Sequence, residues 1–137
     1  MAITKVKVKE YDIKDLYVSF DIAHMLKKIN YDEPCNAYYR IGKNEFNLID
    51  GYAKNSTVSP SYIMAPTIQE ILRWLRKEGI HIEILFDPDT VNGSYYAGVY
   101  YTNKIYEWES EYPYMKGERS YVSVANEIIK YTLDYIY

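Results

Sequence analysis

Residues 67–86 predict a helix followed, after a single glycine, by a strand, and this pair constrains the fold more than any other segment. Thr67 and Glu70 have the spacing of a capping box, in which each side chain bonds the backbone N–H of the other residue. Gly79 suits the left-handed position that ends many helices. The helix runs through residue 78 with the apolar stripe Ile68, Ile71, Leu72 and Leu75. The strand has period two, with the apolar positions Ile80, Ile82, Ile84 and Phe86.

The rest of the second half predicts two more strands and a final helix. Turn signals within residues 87–93 precede a strand at 94–102, and a further strand follows at 104–110. The last helix is predicted to be capped near Ser120, and its inward stripe is Ala125, Ile128, Ile129, Thr132 and Ile136. The order α-β-β-β-α predicts a three-stranded antiparallel sheet with both helices on one face, and thus an α+β fold.

The first half predicts a helix and a β-hairpin. Ser19 is typical of a helix cap, and apolar residues recur at helical spacing over residues 20–29. The segment Asp32-Glu33-Pro34 is expected to stop that helix. Strands at 38–41 and 45–49 flank Gly42-Lys43-Asn44, which predicts a hairpin with a three-residue turn.

Two further segments set the expected organisation of the chain. Residues 5–9 alternate lysine with valine, which predicts a short edge strand or an ordered arm. Residues 53–61 are the most linker-like stretch and are predicted to form a loop. We therefore expect one domain, 1–137, made of a helix-plus-hairpin subregion at 1–58 and an α-β-β-β-α subregion at 63–137.

Composition excludes several classes of protein. A chain of 137 residues with 48% hydrophobic and 26% charged residues has the balance of an ordinary globular domain. No run approaches the roughly 18 apolar residues of a membrane span, and we expect no secretory signal. Cys35 is the single cysteine, so no intrachain disulfide can form. These features favour a cytoplasmic protein with no membrane association.

No residue pattern points to catalysis or to a bound metal. Cys35 lacks the context of an activated thiol, although His24 or His81 could lie beside it in the fold. Asp21 and His24 lie about one helical turn apart, but two ligands do not make a metal site. No glycine-rich phosphate loop occurs. We expect no enzyme activity, no cofactor and no metal, with Cys35 as a small buried apolar residue.

Tyrosine is unusually abundant, with 18 residues in the chain. Tyrosine and tryptophan are frequent at the energetic centres of protein interfaces, and here acidic residues accompany them. The candidate protein-binding residues are Tyr95, Tyr96, Tyr100, Tyr101, Tyr106, Trp108, Tyr112 and Tyr114. Such a surface suits a basic protein partner or a second copy of the chain as a dimer. The same tyrosines would equally serve to cover a three-stranded sheet.

The second half resembles the double-stranded-RNA-binding domain in topology. The resemblance rests on the α-β-β-β-α order, the short capped helix beginning at Thr67 and a last helix opening at Arg119-Ser120. It implies nucleic-acid binding as an alternative function, through Arg73, Arg76, Lys77, Lys116 and Arg119. Acidic residues within 87–93 and the net charge of −3 disfavour phosphate binding by this surface.

A second resemblance spans nearly the whole chain. It rests on Ser19-Phe20, Asp32-Glu33-Pro34, Ala65-Pro66-Thr67, Trp74-Leu75-Arg76 and Gly79-Ile80-His81-Ile82. These segments are similar to small uncharacterised proteins of phages, prophages and mobile elements of gut bacteria. The resemblance implies such an origin and the cytoplasm of a bacterial host, and it carries no catalytic residue. The partner, the oligomeric state, the stage of a phage life cycle and entry into a virion are left open.

Overall fold

The computed structural model describes residues 12–89, 94–102, 108–110 and 120–136. Within these ranges the protein has three α-helices and two three-stranded antiparallel sheets, which confirms the predicted α+β class. The predicted arm at 5–9, the turn at 92–93 and residues 104–107 of the third predicted strand lie outside the described residues. No helix in the described ranges is long and apolar enough to cross a bilayer.

The elements follow one another in the order α1 (Phe20–Lys28), β1 (Cys35–Arg40), β2 (Glu45–Ala53), β3 (Tyr62–Met64), α2 (Ile68–Lys77), β4 (Ile80–Asp87), β5 (Ser94–Thr102), β6 (Trp108–Ser110) and α3 (Tyr121–Ile136). Short 3-10 helices cover Ile13–Leu16 and Asn55–Thr57. The strand order is β2-β1-β3 in the first sheet and β4-β5-β6 in the second.

Helix α1 begins at the predicted cap, but its end differs from the prediction. Ser19 Oγ accepts the backbone N–H of Ile22 at 3.4 Å, as expected of a cap. At the other end Asn30 has a φ of 65°, and the N–H groups of Asn30 and Tyr31 close the two hydrogen bonds of a Schellman ending. The helix is therefore complete before Asp32-Glu33-Pro34, and the expectation that this segment stops it is wrong.

The predicted hairpin is present, and a third strand extends it into a sheet. Arg40 pairs with Glu45 across a turn at residues 41–44, one residue longer than predicted. Gly42 and Asn44 hold positive φ angles of 94° and 50° in this turn. Strand β3 pairs antiparallel with the free edge of β1. No sequence pattern predicts β3, because three residues are too few to show a period.

Polar side chains tie the segment 53–61 to the residues after α1 and to β3. Asn55 Nδ2 donates to the carbonyl of Tyr31 at 3.0 Å, and Asn55 Oδ1 accepts a backbone N–H of β3 at 3.0 Å. The Asp32 carboxylate accepts the N–H and the hydroxyl of Ser56 at 2.8 and 2.7 Å. The linker-like composition therefore supplies anchoring groups and a 3-10 turn, which corrects the expectation of a plain connecting loop.

Helix α2 has both of its predicted ends. The N–H of Thr67 donates to Glu70 Oε1 at 2.9 Å, and the N–H of Glu70 donates to Thr67 Oγ1 at 3.0 Å, which confirms the capping box. Gly79 has a φ of 83°, and its N–H bonds the carbonyl of Arg76 at 3.0 Å. The left-handed glycine turns the chain directly into β4, and α2 packs against that strand.

Helix α3 is capped and buried as predicted over its described part. Ser120 Oγ accepts the N–H of Ser123 at 3.1 Å. The buried residues of its predicted stripe are Ala125, Ile128, Ile129 and Thr132. The side chain of Ile136 lies outside the described residues. Helices α2 and α3 contact each other and the second sheet, while α3 also contacts α1.

One hydrophobic cluster runs through both halves of the chain. Backbone contacts accompany it, since the N–H of Val18 bonds the carbonyl of Pro66 at 3.1 Å. The N–H of Ser19 donates to Asn126 Oδ1 of α3 at 2.9 Å. These bonds tie the start of α1 to both ends of the α-β-β-β-α segment.

Candidate functional site

The outer face of the second sheet carries tyrosine and carboxylate side chains together. Residues directly opposite in an antiparallel pair place their side chains on the same face. On the face away from the helices the register of β4 and β5 opposes His81 with Tyr100, Glu83 with Gly98 and Leu85 with Tyr96. The helix-facing side carries buried and half-buried residues, namely Ile80, Ile82, Ile84, Ala97, Val99 and Tyr101.

The far end of the Tyr100 ring lies over Gly98. A Cβ atom at position 98 would meet Tyr100 Cε2 at 3.1 Å and Cζ at 3.3 Å, so the glycine leaves room for the ring. Tyr96 and Tyr100 are half-buried, Glu83 is exposed and Leu85 is 45% exposed. We call this set of four residues the outer-face patch. It combines aromatic and aliphatic surface with a carboxylate.

The eight residues of the predicted protein-binding surface do not all share this face. Tyr96 and Tyr100 lie on the outer face, whereas Tyr95 and Tyr101 pack against the hydrophobic core, because neighbouring strand residues point to opposite sides. The Tyr95 ring meets Tyr121 edge-on, with ring centroids 5.5 Å apart. The side chains of the other four lie outside the described residues: Tyr106, Trp108, Tyr112 and Tyr114.

Helix α2 carries the described cations of the alternative nucleic-acid surface. Arg73, Arg76 and Lys77 are all exposed. Lys116 and Arg119, which complete that predicted surface, lie outside the described residues. The structure therefore brings together three of the five predicted positions on one helix.

A cleft of about 300 Å³ between α2 and the first sheet was missed by the sequence analysis. It is lined by Arg73 and Lys77 and by three aromatic residues, Tyr31, Tyr52 and Trp74. Trp74 offered a usable signal, since it lies between the apolar stripe and the charged face of α2. Tyr52 offered none, because its place in the cleft depends on the pairing of β2 with β1.

Cys35 is a fully buried residue of β1. Its thiol donates to the carbonyl of Glu33 at 3.4 Å. Burial, helped by the nearby negative charges of Glu70 and Glu33, raises the pKa of the Cys35 thiol to about 12. The thiolate is the reactive form of cysteine, so this side chain is protonated and a poor nucleophile near neutral pH.

Each of the two histidines has an aromatic residue as a neighbour. His24 stacks on Phe20 with ring centroids 6.0 Å apart, and His81 lies opposite Tyr100 in the second sheet. In the described ranges no group of three or more His, Cys, Asp or Glu residues could hold a metal ion.

No protein family, curated protein or solved structure matches this chain.

Proposed function

We propose that this is a small, non-enzymatic accessory protein of a phage or mobile element that binds a protein partner. The observation that carries the proposal is the outer-face patch, which α2 and α3 leave uncovered because both pack on the other side of the sheet. The partner presents a basic segment, and a second copy of the chain is one form it can take.

The chemistry of the patch supports a protein ligand. Tyr96 and Tyr100 offer large, stiff side chains that lose little conformational entropy when they are covered. Leu85 adds exposed apolar area in register with Tyr96. Glu83 supplies negative charge for a lysine or arginine of the partner, which favours orientation and rapid association.

The setting follows from the resemblances found in the sequence. The segments that resemble small phage and mobile-element proteins support that origin and the cytoplasm of a bacterial host. The element order α2-β4-β5-β6-α3 supports an arrangement like that of the double-stranded-RNA-binding domain, whose outer sheet surface would correspond to the outer-face patch.

A charge-reversal variant tests the proposal. Glu83→Arg combined with Leu85→Arg should abolish binding of the partner, because it reverses the charge of the patch and removes apolar surface from it. Both positions are exposed, so the substitutions should leave the fold intact. Tyr135→Ala on α3, where the tyrosine is 64% exposed, is the matched control. Proteins captured from host lysate are quantified for all three forms, and sedimentation over a concentration series measures self-association.

We expect one protein, or the chain itself, to bind the wild type and the Tyr135→Ala variant and to be lost with the double variant. Equal binding profiles for the wild type and the double variant would contradict the proposal.

Nucleic-acid binding is the second candidate, and the three exposed cations of α2 favour it. Three phosphate contacts through Arg73, Arg76 and Lys77 would make the logarithm of affinity fall with the logarithm of salt concentration with a slope of about −3. A gel shift with duplex RNA, duplex DNA and single strands over a salt series measures this slope. Tight, steeply salt-dependent binding would favour this candidate over the protein partner.

A further inference from the structure

We propose that the cleft between α2 and the first sheet binds a mononucleotide, with the ring against the aromatic wall and the phosphate on the cations. The site is separate from the outer-face patch and does not depend on the function proposed above. Its cations come from α2, and its aromatic residues come from α2, from β2 and from the segment after α1.

The aromatic wall is partly fixed in place. Tyr31 is only 3% exposed and meets Trp74 edge-on, with ring centroids 5.3 Å apart and planes at 79°. Trp74 is half-buried, so this contact holds an indole that still lines the cleft. Tyr52 is 73% exposed, and so large a ring left in solvent has most of its surface available to a ligand. Each base has a π-face, so any of the bases can stack on such rings.

The cations lie on one side of the cleft. Arg73 and Lys77 are four residues apart on α2, which places them on the same face of the helix within reach of one anion. A guanidinium beside an ammonium suits a phosphate, which can accept several hydrogen bonds from them.

Two carboxylates also line the cleft, and they act differently. Glu70 accepts the N–H of Thr67 at 2.9 Å, so its charge is held at the start of α2 by the capping box. Glu33 is exposed on the loop before β1 and also lines the cleft. A carboxylate there can accept hydrogen bonds from the exocyclic amino group of adenine, cytosine or guanine, a group that uracil lacks.

The size of the cleft favours a small ligand over a polymer. A space of about 300 Å³ lies at the lower end of small-molecule sites and holds one nucleotide. Arg76, the third cation of α2, does not line the cleft, so the site uses only part of the surface that a nucleic-acid strand would engage.

Calorimetric titration of the full chain with AMP, CMP, GMP and UMP tests the proposal. Adenosine, which lacks the phosphate, and ribose 5-phosphate, which lacks the base, are titrated for comparison. We expect saturable binding of AMP with a dissociation constant between about 10 μM and 1 mM. Adenosine, ribose 5-phosphate and UMP should each bind at least about tenfold more weakly. Amide chemical shifts should change around residues 31–33, 52 and 73–77.

Matched variants assign the binding to the cleft. Tyr52→Ala should weaken AMP binding about 5- to 100-fold, the range that base stacking provides. Arg73→Gln with Lys77→Gln should weaken it at least about tenfold, while Arg76→Gln and Tyr135→Ala should change it less than about twofold. These positions are exposed, and far-UV circular dichroism checks that each variant is folded.

Three outcomes overturn the proposal. They are no saturable binding of any nucleotide up to about 10 mM, equal affinity for AMP and adenosine, and a loss of binding with Arg76→Gln equal to that with the Arg73/Lys77 variant. None of them bears on the outer-face patch, whose own test uses Glu83 and Leu85.

Discussion

Buried polar atoms of individual residues find partners within the fold. The hydroxyl of Tyr39 donates to the carbonyl of Val18 at 2.7 Å, and that of Thr132 donates to the carbonyl of Ile128 at 2.7 Å. Among the described residues no buried side-chain nitrogen or oxygen lacks a hydrogen bond. Tyrosine can therefore supply core volume here without the cost of an unpaired hydroxyl.

Tyr39→Phe should lower the free energy of unfolding by about 1–2 kcal/mol, because the buried carbonyl of Val18 loses a donor. Tyr62→Phe is the control, since Tyr62 is half-buried with its ring against Tyr38 at a centroid distance of 4.9 Å. It should change stability by less than about 0.5 kcal/mol. Urea unfolding followed by circular dichroism measures both, and equal effects would show that the Tyr39 hydroxyl contributes nothing specific.

The secondary-structure elements divide into those with local signals and those without. The ends of α2 could be predicted because Thr67, Glu70 and Gly79 act on backbone groups within four residues of themselves. Strand β3 exists through its pairing with β1, and the 3-10 turn before it is held by Asn55. Those partners are distant in sequence, so no local pattern reports them.

Asn55→Ala should destabilise the protein by about 1–3 kcal/mol, because the Tyr31 carbonyl and a β3 amide both lose their partner. Asn47→Ala in β2 is the control, since Asn47 makes one weak local bond to the Glu45 carbonyl at 3.4 Å. Thermal unfolding compares the two variants, and faster amide exchange in β3 should accompany the loss in Asn55→Ala. A stability unchanged by Asn55→Ala would mean that the segment 53–61 is not anchored as described.

For the whole molecule, several weak acids are buried in the neutral form. Burial raises the pKa of the Cys35 thiol from 9.0 to about 12 and that of the Tyr39 hydroxyl from 10.0 to about 12. Burial also raises the pKa of Tyr31, with smaller contributions from Cys35, Glu70 and Glu33. All three lie in or beside the first sheet, so the core joining α1 to that sheet is sensitive to alkali.

Stability should fall as pH rises from about 9 toward 12. Above pH 9 the unfolded chain releases protons that the folded protein retains, so the unfolding free energy decreases with pH. Each such group contributes about 1.4 kcal/mol per pH unit at most. Urea unfolding from pH 8 to about pH 11 measures the slope.

The variant Cys35→Ala provides the comparison. Loss of the buried side chain lowers stability at every pH, yet the slope just above pH 9 should become shallower because one titrating group is gone. A wild-type unfolding free energy that stays constant across this range, or an unchanged slope in Cys35→Ala, would contradict the raised pKa of the buried thiol.

The amino-acid order by itself determined the α+β class, the caps at Ser19, Thr67 and Ser120, and the hairpin, because each depends on neighbours a few residues away. Only the tertiary structure decided that Tyr96 and Tyr100 lie outside while Tyr95 and Tyr101 pack inside with the core. It also decided that Tyr31, Tyr52 and Trp74 meet at one cleft. Those placements arise from strand register and from which sheet face the helices cover, and both are set by contacts between segments far apart in the chain.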